Sequence, residues 1–212
     1  MLDDLKNRFL YRQKPAWHKL AASHFEPDAI VLDLGCGCGD FLEYAPKNSI
    51  GLDWSQDNLR EAKKMGKKLM RGDARAIELP DASVDGIHCS HLIEHFLPED
   101  VHKVLKEMDR VLKPGGTIVL RSPMPWDGFY CDLTHIRPYP PESIMHYMVL
   151  DTRQRTLAAI NGRYQKLHLR FRYANLNFGS KYLGAIFGQL NRFGFPWLTC
   201  TGYMLVLRKL VS

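Results

Sequence analysis

The stretch Val31-Leu32-Asp33-Leu34-Gly35-Cys36-Gly37-Cys38-Gly39-Asp40 constrains this chain more than any other. Ile30, Val31 and Leu32 are the branched apolar residues of a buried strand. An acid and three alternating glycines follow, and then Phe41 and Leu42. This order reads as strand, tight turn and the start of an amphipathic helix. Alternate glycines leave the turn backbone bare where a ligand can approach it. A turn at the carboxyl end of a first strand is also where open α/β sheets bind nucleotides. The spacing decides between cofactors. A dinucleotide fingerprint, G-x-G-x-x-G, needs its third glycine at 40 or 42, where Asp40 and Leu42 stand. Asp40 would also oppose a pyrophosphate at a helix start. A cofactor without phosphate, carrying a cationic sulfonium, suits the stretch better.

The next elements extend an α/β pattern. A short second strand, Ser49 to Ser55, ends in Asp53, placed to accept hydrogen bonds from ribose hydroxyls. Trp54 beside it is placed either to cover an adenine face or to enter the core. A helix is predicted over Gln56 to Lys68, with four lysines on a wet face, then a third strand, Leu69 to Arg71, and a Gly72-Asp73 turn. Gly86 to Ser90 is the fourth strand. Ser90 and His91 at its end face the ligand crevice. Pro98 opens a helix whose Val101, Val104, Leu105, Met108, Val111 and Leu112 share one face. It stops at Lys113-Pro114-Gly115-Gly116, and Thr117 to Leu120 is the fifth strand.

Several of these segments, in this order, resemble class I S-adenosylmethionine-dependent methyltransferases, with a domain of the type 11 kind. They are the glycine loop, the run Leu79-Pro80-Asp81-Ala82-Ser83-Val84-Asp85, the Glu94-His95 pair, and Arg110-Val111-Leu112-Lys113-Pro114-Gly115-Gly116-Thr117-Ile118-Val119-Leu120. Ordered motifs are more specific than one glycine loop. The resemblance implies an α/β, Rossmann-like fold, a seven-strand mixed sheet with helices on both faces. It implies S-adenosyl-L-methionine as cofactor and S-adenosyl-L-homocysteine as product. It places Asp33, Gly35, Cys36, Gly37, Gly39, Asp53, Trp54, Asp73, Ala74, Ser90 and His91 at the cofactor, Asp73 reading the adenine amino group. A turn role for Asp73 stays open beside that.

After the fifth strand, Arg121 to Pro141 is long for a connection and dense in aromatic and ionisable groups, as functional loops are. Its Asp132-Leu133-Thr134-His135-Ile136-Arg137-Pro138-Tyr139 resembles a feature of bacterial methyltransferases associated with polysaccharide or lipid-linked glycan synthesis. The resemblance makes His135 and Asp132 catalytic candidates that would take a proton from a hydroxyl, with His95 as a third. Tyr130, Arg137 and Tyr139 are the substrate-side candidates, Arg137 for an anionic group. Asp132 with Thr134 fixing the loop is the equal alternative.

The last third is basic. After Asp151 there is no acid and there are ten Lys and Arg, whereas the first 151 residues hold 19 basic and 23 acidic residues. An anionic partner follows from such asymmetry: a phosphate-bearing substrate, nucleic acid or a membrane surface. A helix is predicted over Pro141 to Gln154, a strand over Tyr164 to Tyr173 with Lys166, His168, Arg170 and Arg172 on a wet face, and a last strand over Thr201 to Leu207. Residues 175–198 are aromatic and basic, read as a cap over the sheet or as a peripheral membrane contact. No run is long enough to span a bilayer and the start lacks a signal-peptide pattern, so a cytoplasmic protein is expected. Five cysteines suit a reducing compartment, and Cys36-x-Cys38 lacks a second pair for a metal.

The chain therefore reads as one methyltransferase domain over 1–212. Its parts are a helical leader at 1–28, in which Trp17 and His18 are weak site candidates, a cofactor-binding core at 30–120, and a substrate-side region at 121–212. The acceptor is expected to be a small molecule, such as a hydroxyl of a sugar or lipid-linked glycan. The alternatives are RNA and a non-catalytic cofactor-binding protein of the same fold.

Overall fold

A computed structural model describes residues 15–149, 156–160, 163–174 and 199–211. It contains a seven-stranded sheet in the order β3-β2-β1-β4-β5-β7-β6. The strands are β1 (Val31–Leu34), β2 (Ile50–Asp53), β3 (Lys68–Arg71), β4 (Val84–Ser90), β5 (Leu112–Pro123), β6 (Tyr164–Ala174) and β7 (Thr199–Lys209). Neighbours from β3 through β5 run parallel, and β7 is antiparallel to both β5 and β6. The carboxyl ends of β1, β2, β4, β5 and β6 therefore share one edge with the start of β7. Because β2 lies on one side of β1 and β4 on the other, the strand order reverses at β1, where such sheets open a crevice.

Helices flank the sheet: α1 (described over 15–22), α2 (Gln56–Ala62), α3 (Pro98–Val111) and α4 (Pro141–Met148). The five apolar residues of α3 from Val101 to Val111 are all buried, in the main core with Leu32, Leu34, Ile87, Ile118 and Leu120. On the other face, Ala21 of α1, with Trp17 and Leu20 beside it, packs on Val31, Phe41, Val119, Met204 and Val206. Ser55 caps α2, its Oγ accepting from the Asn58 N–H at 3.3 Å. No helix among the described residues is long and apolar enough to cross a membrane.

The sheet has the predicted strands, and the structure departs from the sequence reading in four elements. No helix follows the glycine loop: 40–45 form turns, with the Tyr44 and Ala45 N–H groups both bonded to the Phe41 carbonyl. Pro46 comes too soon for a helix to propagate, since it disfavours helical geometry at Ala45 and offers no donor. The second helix is shorter than expected: α2 passes into a 3-10 turn at Lys63–Met65, Gly66 is left-handed, and Lys68 already belongs to β3. The strand β5 begins at Leu112, before the Pro-Gly-Gly turn, with a register shift opposite Val84 and Gly86. Finally, α4 ends at Met148. The expectations for 1–14, for 150–155 and for 175–198 lie outside the described residues.

Candidate functional site

The glycine loop is pinned from below and bare above. The Gly35 and Cys36 N–H groups donate to the Leu52 carbonyl at 2.8 and 2.9 Å. The Gly37 N–H donates to Asp53 Oδ2 at 2.8 Å, while Asp53 Oδ1 accepts from the Ser55 N–H at 2.8 Å and from Asn58 Nδ2 at 3.3 Å. Gly37 has φ +51°, and a Cβ there would meet nothing within 4 Å. Its backbone is thus both left-handed and uncovered, the condition for close approach of a ligand. Gly39, at φ +88°, is required for a different reason: a Cβ would press on Ala62 of α2 at 3.2 Å.

Asp53, at the tip of β2, therefore fastens the loop with three of its roughly four lone-pair directions. That leaves one for a ribose hydroxyl. Trp54 is 78% exposed, so it is not a core residue and stands free at the strand end. Cys36 turns its thiol inward among Leu42, Leu59, Met65 and Leu69, and burial pushes that thiol above its ordinary pKa. Only its backbone can meet a ligand in this loop. Asp73 is held in a fork by Arg75, with Nη2 to Oδ2 at 2.7 Å and Nε to Oδ1 at 3.0 Å, which keeps the carboxyl below its usual range. This is a turn arrangement, and an adenine amine would have to share the carboxylate with Arg75. Ala74 beside it is buried.

At the end of β1, Asp33 is 2% exposed and its Oδ1 lies 2.7 Å from Nδ1 of the buried His88. Burial lowers the His88 pKa against the opposing pull of Asp33. The neutral ring donates from Nδ1. Asp33 Oδ2 and His88 Nε2 are both buried without a partner. Two orphaned acceptors at a crevice call for a donor, because an unmade buried hydrogen bond is costly.

Beyond β4, Ser90 is half-buried and His91 is a non-glycine residue at φ +54°. The His91 N–H donates to the Arg121 carbonyl, and its Nδ1 lies 3.1 Å from Oε1 of the fully buried Glu94. The three catalytic candidates, widely separated in sequence, are brought together here. His95 and His135 have ring centroids 4.9 Å apart. His95 Nδ1 meets the Thr134 carbonyl at 3.2 Å, and His135 Nδ1 meets the Phe129 carbonyl at 2.8 Å. A carbonyl can only accept, so both rings donate from Nδ1, and Nε2 is the ring atom left to face a ligand. Asp132 Oδ2 is 3.9 Å from His135 Nε2, and its Oδ1 accepts from the Thr134 N–H and hydroxyl, fixing the loop. Glu94, His95 and His135 each bring one ligand atom within 4.8 Å of the others, so a cation could be held there. Both Glu94 oxygens, however, already face partners, His91 at 3.1 Å and Ser122 at 3.4 Å.

The substrate-side candidates do not converge. Tyr130 is 68% exposed. Arg137 lies over the Tyr139 ring, and both line a groove between α3 and α4. Tyr139 is buried, its hydroxyl donating to the Phe96 carbonyl at 2.8 Å while its own carbonyl accepts from Tyr203. It packs in the core, and its hydroxyl is already engaged.

The sequence reading passed over a second polar group at the same edge. Arg121 of β5 is 5% exposed, and Arg172 of β6 is half-buried although it was expected on a wet face. Burial and the nearby Arg172 push the Arg121 pKa down to about 10. The available signal was an arginine closing the otherwise apolar run Ile118 to Leu120.

Residues 32–120 match the sequence profile of a methyltransferase domain family. Among curated relatives, demethylmenaquinone methyltransferase of Deinococcus radiodurans is 34% identical over 142 residues, 60% of this chain and 58% of that protein. A probable tRNA methyltransferase 9B of Mus musculus is 29% identical over 112 residues, 51% of this chain and 25% of its own length. The chain thus spans 58% and 25% of the lengths of these two relatives. A crystal structure of a SAM-dependent methyltransferase from Archaeoglobus fulgidus superposes with a TM-score of 0.68 at 23% identity, covering 95% of this chain and 99% of that one.

The fold is that of the class I S-adenosylmethionine-dependent methyltransferases. Residues 32–120, under half of the chain, carry the methyltransferase domain profile that they match. The cofactor of the class fits what the crevice offers. The bare Gly37 backbone admits a close ligand, and the unpartnered Asp33 Oδ2 suits an ammonium donor.

Proposed function

We propose that the protein transfers the methyl group of S-adenosylmethionine to a hydroxyl of a small-molecule acceptor, and that residues 1–212 act as one domain in doing so. The observation that carries this reading is the pair of imidazoles, His95 and His135, each held through Nδ1 by a backbone carbonyl with Nε2 left to face an acceptor. A sugar or lipid-linked glycan hydroxyl is the acceptor we favour, from the Asp132 to Tyr139 stretch.

The bound cofactor supplies an activated methyl on a sulfonium, so this chain's residues have three tasks: binding, alignment and proton removal. The Gly35–Gly39 loop and Asp33 hold the amino-acid end, Asp53 meets a ribose hydroxyl on its remaining lone pair, and Trp54 covers the base. Ser90 and His91 at the end of β4 close the crevice around the donor. Alignment supplies most of the acceleration when the donor is already activated. His135, stacked on Phe129 at 4.6 Å between centroids, accepts the acceptor's proton at Nε2. Asp132, 3.9 Å away, stabilises the resulting cation.

Calorimetric titration with S-adenosylmethionine and S-adenosylhomocysteine, with NADH as control, tests the cofactor. Binding of the first two and not the third is expected. An acceptor found by screening hydroxyl metabolites then tests the base: His135→Ala lowers kcat by about 10²–10⁴. An unchanged kcat would remove His135 from the chemistry. An RNA acceptor is the competing reading, supported by the tRNA methyltransferase relative and by exposed Lys166 and Arg170 on β6. RNA binding that falls steeply with salt would favour it.

A further inference from the structure

Arg121 and Arg172 face one narrow cavity together with Trp17, His91 and Ser122. The two guanidiniums carry ten N–H donors between them. Few are used. Arg121 Nη1 meets His18 Nδ1 at 3.2 Å, and Arg172 gives Nε to Thr201 Oγ1 at 3.1 Å and Nη2 to the Thr201 carbonyl at 3.4 Å. Among the described residues, no carboxylate lies within 4.0 Å of either guanidinium. Asp33 and Glu94 act on them only from farther away, and Glu94 is already engaged by His91 and Ser122. Neither arginine has a nitrogen that is both sealed from solvent and unpartnered. Any spare donor therefore reaches solvent-accessible space, and the cavity is a space that both arginines line.

Buried cations are ordinarily paired, because an unpaired one loses hydration without recompense. Two adjacent arginines in one cavity ask for a shared anion, and the planar guanidinium matches carboxylate or phosphate oxygens in pairs. The cavity is narrow, with room as it stands for about one water molecule. An anion entering it presents one oxygen to the guanidiniums and keeps the rest of its molecule outside.

Position assigns the anion. The glycine loop and Asp33 belong to β1, whereas Arg121 belongs to β5 and Arg172 to β6, two and four strands away in the sheet. At about 4.8 Å per strand that is roughly 10 and 19 Å. Both arginines stand on the β5–β6 side of β4, where an acceptor has room beside a cofactor held at β1. Resting on the methyltransferase reading above, we propose that Arg121 and Arg172 form an anion subsite that holds a carboxylate or phosphate group of the methyl acceptor. The acceptor is thereby a hydroxyl compound bearing a negative charge, anchored on the far side of His91 from the glycine loop.

The test is calorimetric titration of the full chain with inorganic phosphate and, separately, S-adenosylhomocysteine, each alone and in the presence of the other. Phosphate should bind the wild type saturably, and at least tenfold more weakly in Arg172→Gln. S-adenosylhomocysteine affinity should change less than twofold in that variant and at saturating phosphate. Thermal melting guards against misfolding: phosphate should raise the wild-type Tm, while Arg121→Met should melt higher than wild type without phosphate and stop responding to it. Absent phosphate binding, or binding undiminished in Arg172→Gln, overturns the subsite. Competition between phosphate and S-adenosylhomocysteine overturns the assignment to the acceptor and gives the pocket to the cofactor's own carboxylate. If S-adenosylhomocysteine fails to bind the wild type while phosphate binds, the methyltransferase reading falls and an anion site without a methyl acceptor stands in its place.

Discussion

Replacing Asp53 by alanine removes the clasp between β2 and the glycine loop. Two backbone donors, the Gly37 and Ser55 N–H groups, lose a carboxylate oxygen at 2.8 Å, and Asn58 Nδ2 loses a weaker partner at 3.3 Å. Hydrogen bonds to a charged group contribute about 1.5–3 kcal/mol each, and partly buried donors recover some of this from entering water. The two strong bonds together then amount to about 2–4 kcal/mol. For a chain of this length, that lowers Tm by roughly 5–15 °C. The fold should survive, since ordinary stabilities exceed the loss. Affinity for S-adenosylhomocysteine should fall by at least about tenfold, because a loop that must be reordered on binding loses preorganisation. Differential scanning calorimetry and titration calorimetry on the same preparation give both numbers. Melting within 1 °C of wild type would refute the reasoning, since it would mean that Gly37 is held by something other than Asp53.

Stability should decline as pH falls below about 6.5. His88 has its pKa lowered by burial, so above that pH it is neutral in both states, and below it only the unfolded chain takes up the proton. One such group gives a slope of at most about 1.4 kcal/mol per pH unit, and urea melts between pH 5 and 7.5 should show it flattened in His88→Asn. Tyr139→Phe should cost about 0.5–1.5 kcal/mol through its lost bond to the Phe96 carbonyl and leave cofactor affinity unchanged; a selective loss of binding at constant Tm would return Tyr139 to the site. Dialysis against EDTA should alter neither Tm nor S-adenosylhomocysteine affinity, because both Glu94 oxygens already have partners; a drop in either would assign Glu94, His95 and His135 to a cation.

What the sequence revealed was what local pattern encodes. The strands Val31–Leu34 and Val84–Ser90 and the helix Pro98–Val111 follow from apolar runs and periodicity, and the crevice follows from glycine spacing. His95, Asp132 and His135 were each singled out through a resemblance, but their meeting was not, since nothing local joins residues about 40 positions apart. The helix after Gly39 was misread because the pattern at Phe41 and Leu42 gave too little weight to Pro46. Asp73 and Tyr139 have partners, Arg75 and the Phe96 carbonyl, that no spacing rule identifies. Arg172 looked wet because alternation along β6 does not show that its end is covered from across the sheet.

The single turn at Phe41 to Ala45 also acts as a filter on ligand charge. A full helix starting at the glycine loop would aim the positive end of its macrodipole, about half an elementary charge, at whatever the loop holds. Pyrophosphate-binding loops rely on that field. Here one α-turn ends at Pro46, and three acids, Asp33, Asp40 and Asp53, stand in or beside the loop. The loop therefore offers a dinucleotide no electrostatic welcome and a cationic sulfonium no repulsion, so its selectivity lies in a helix that never forms.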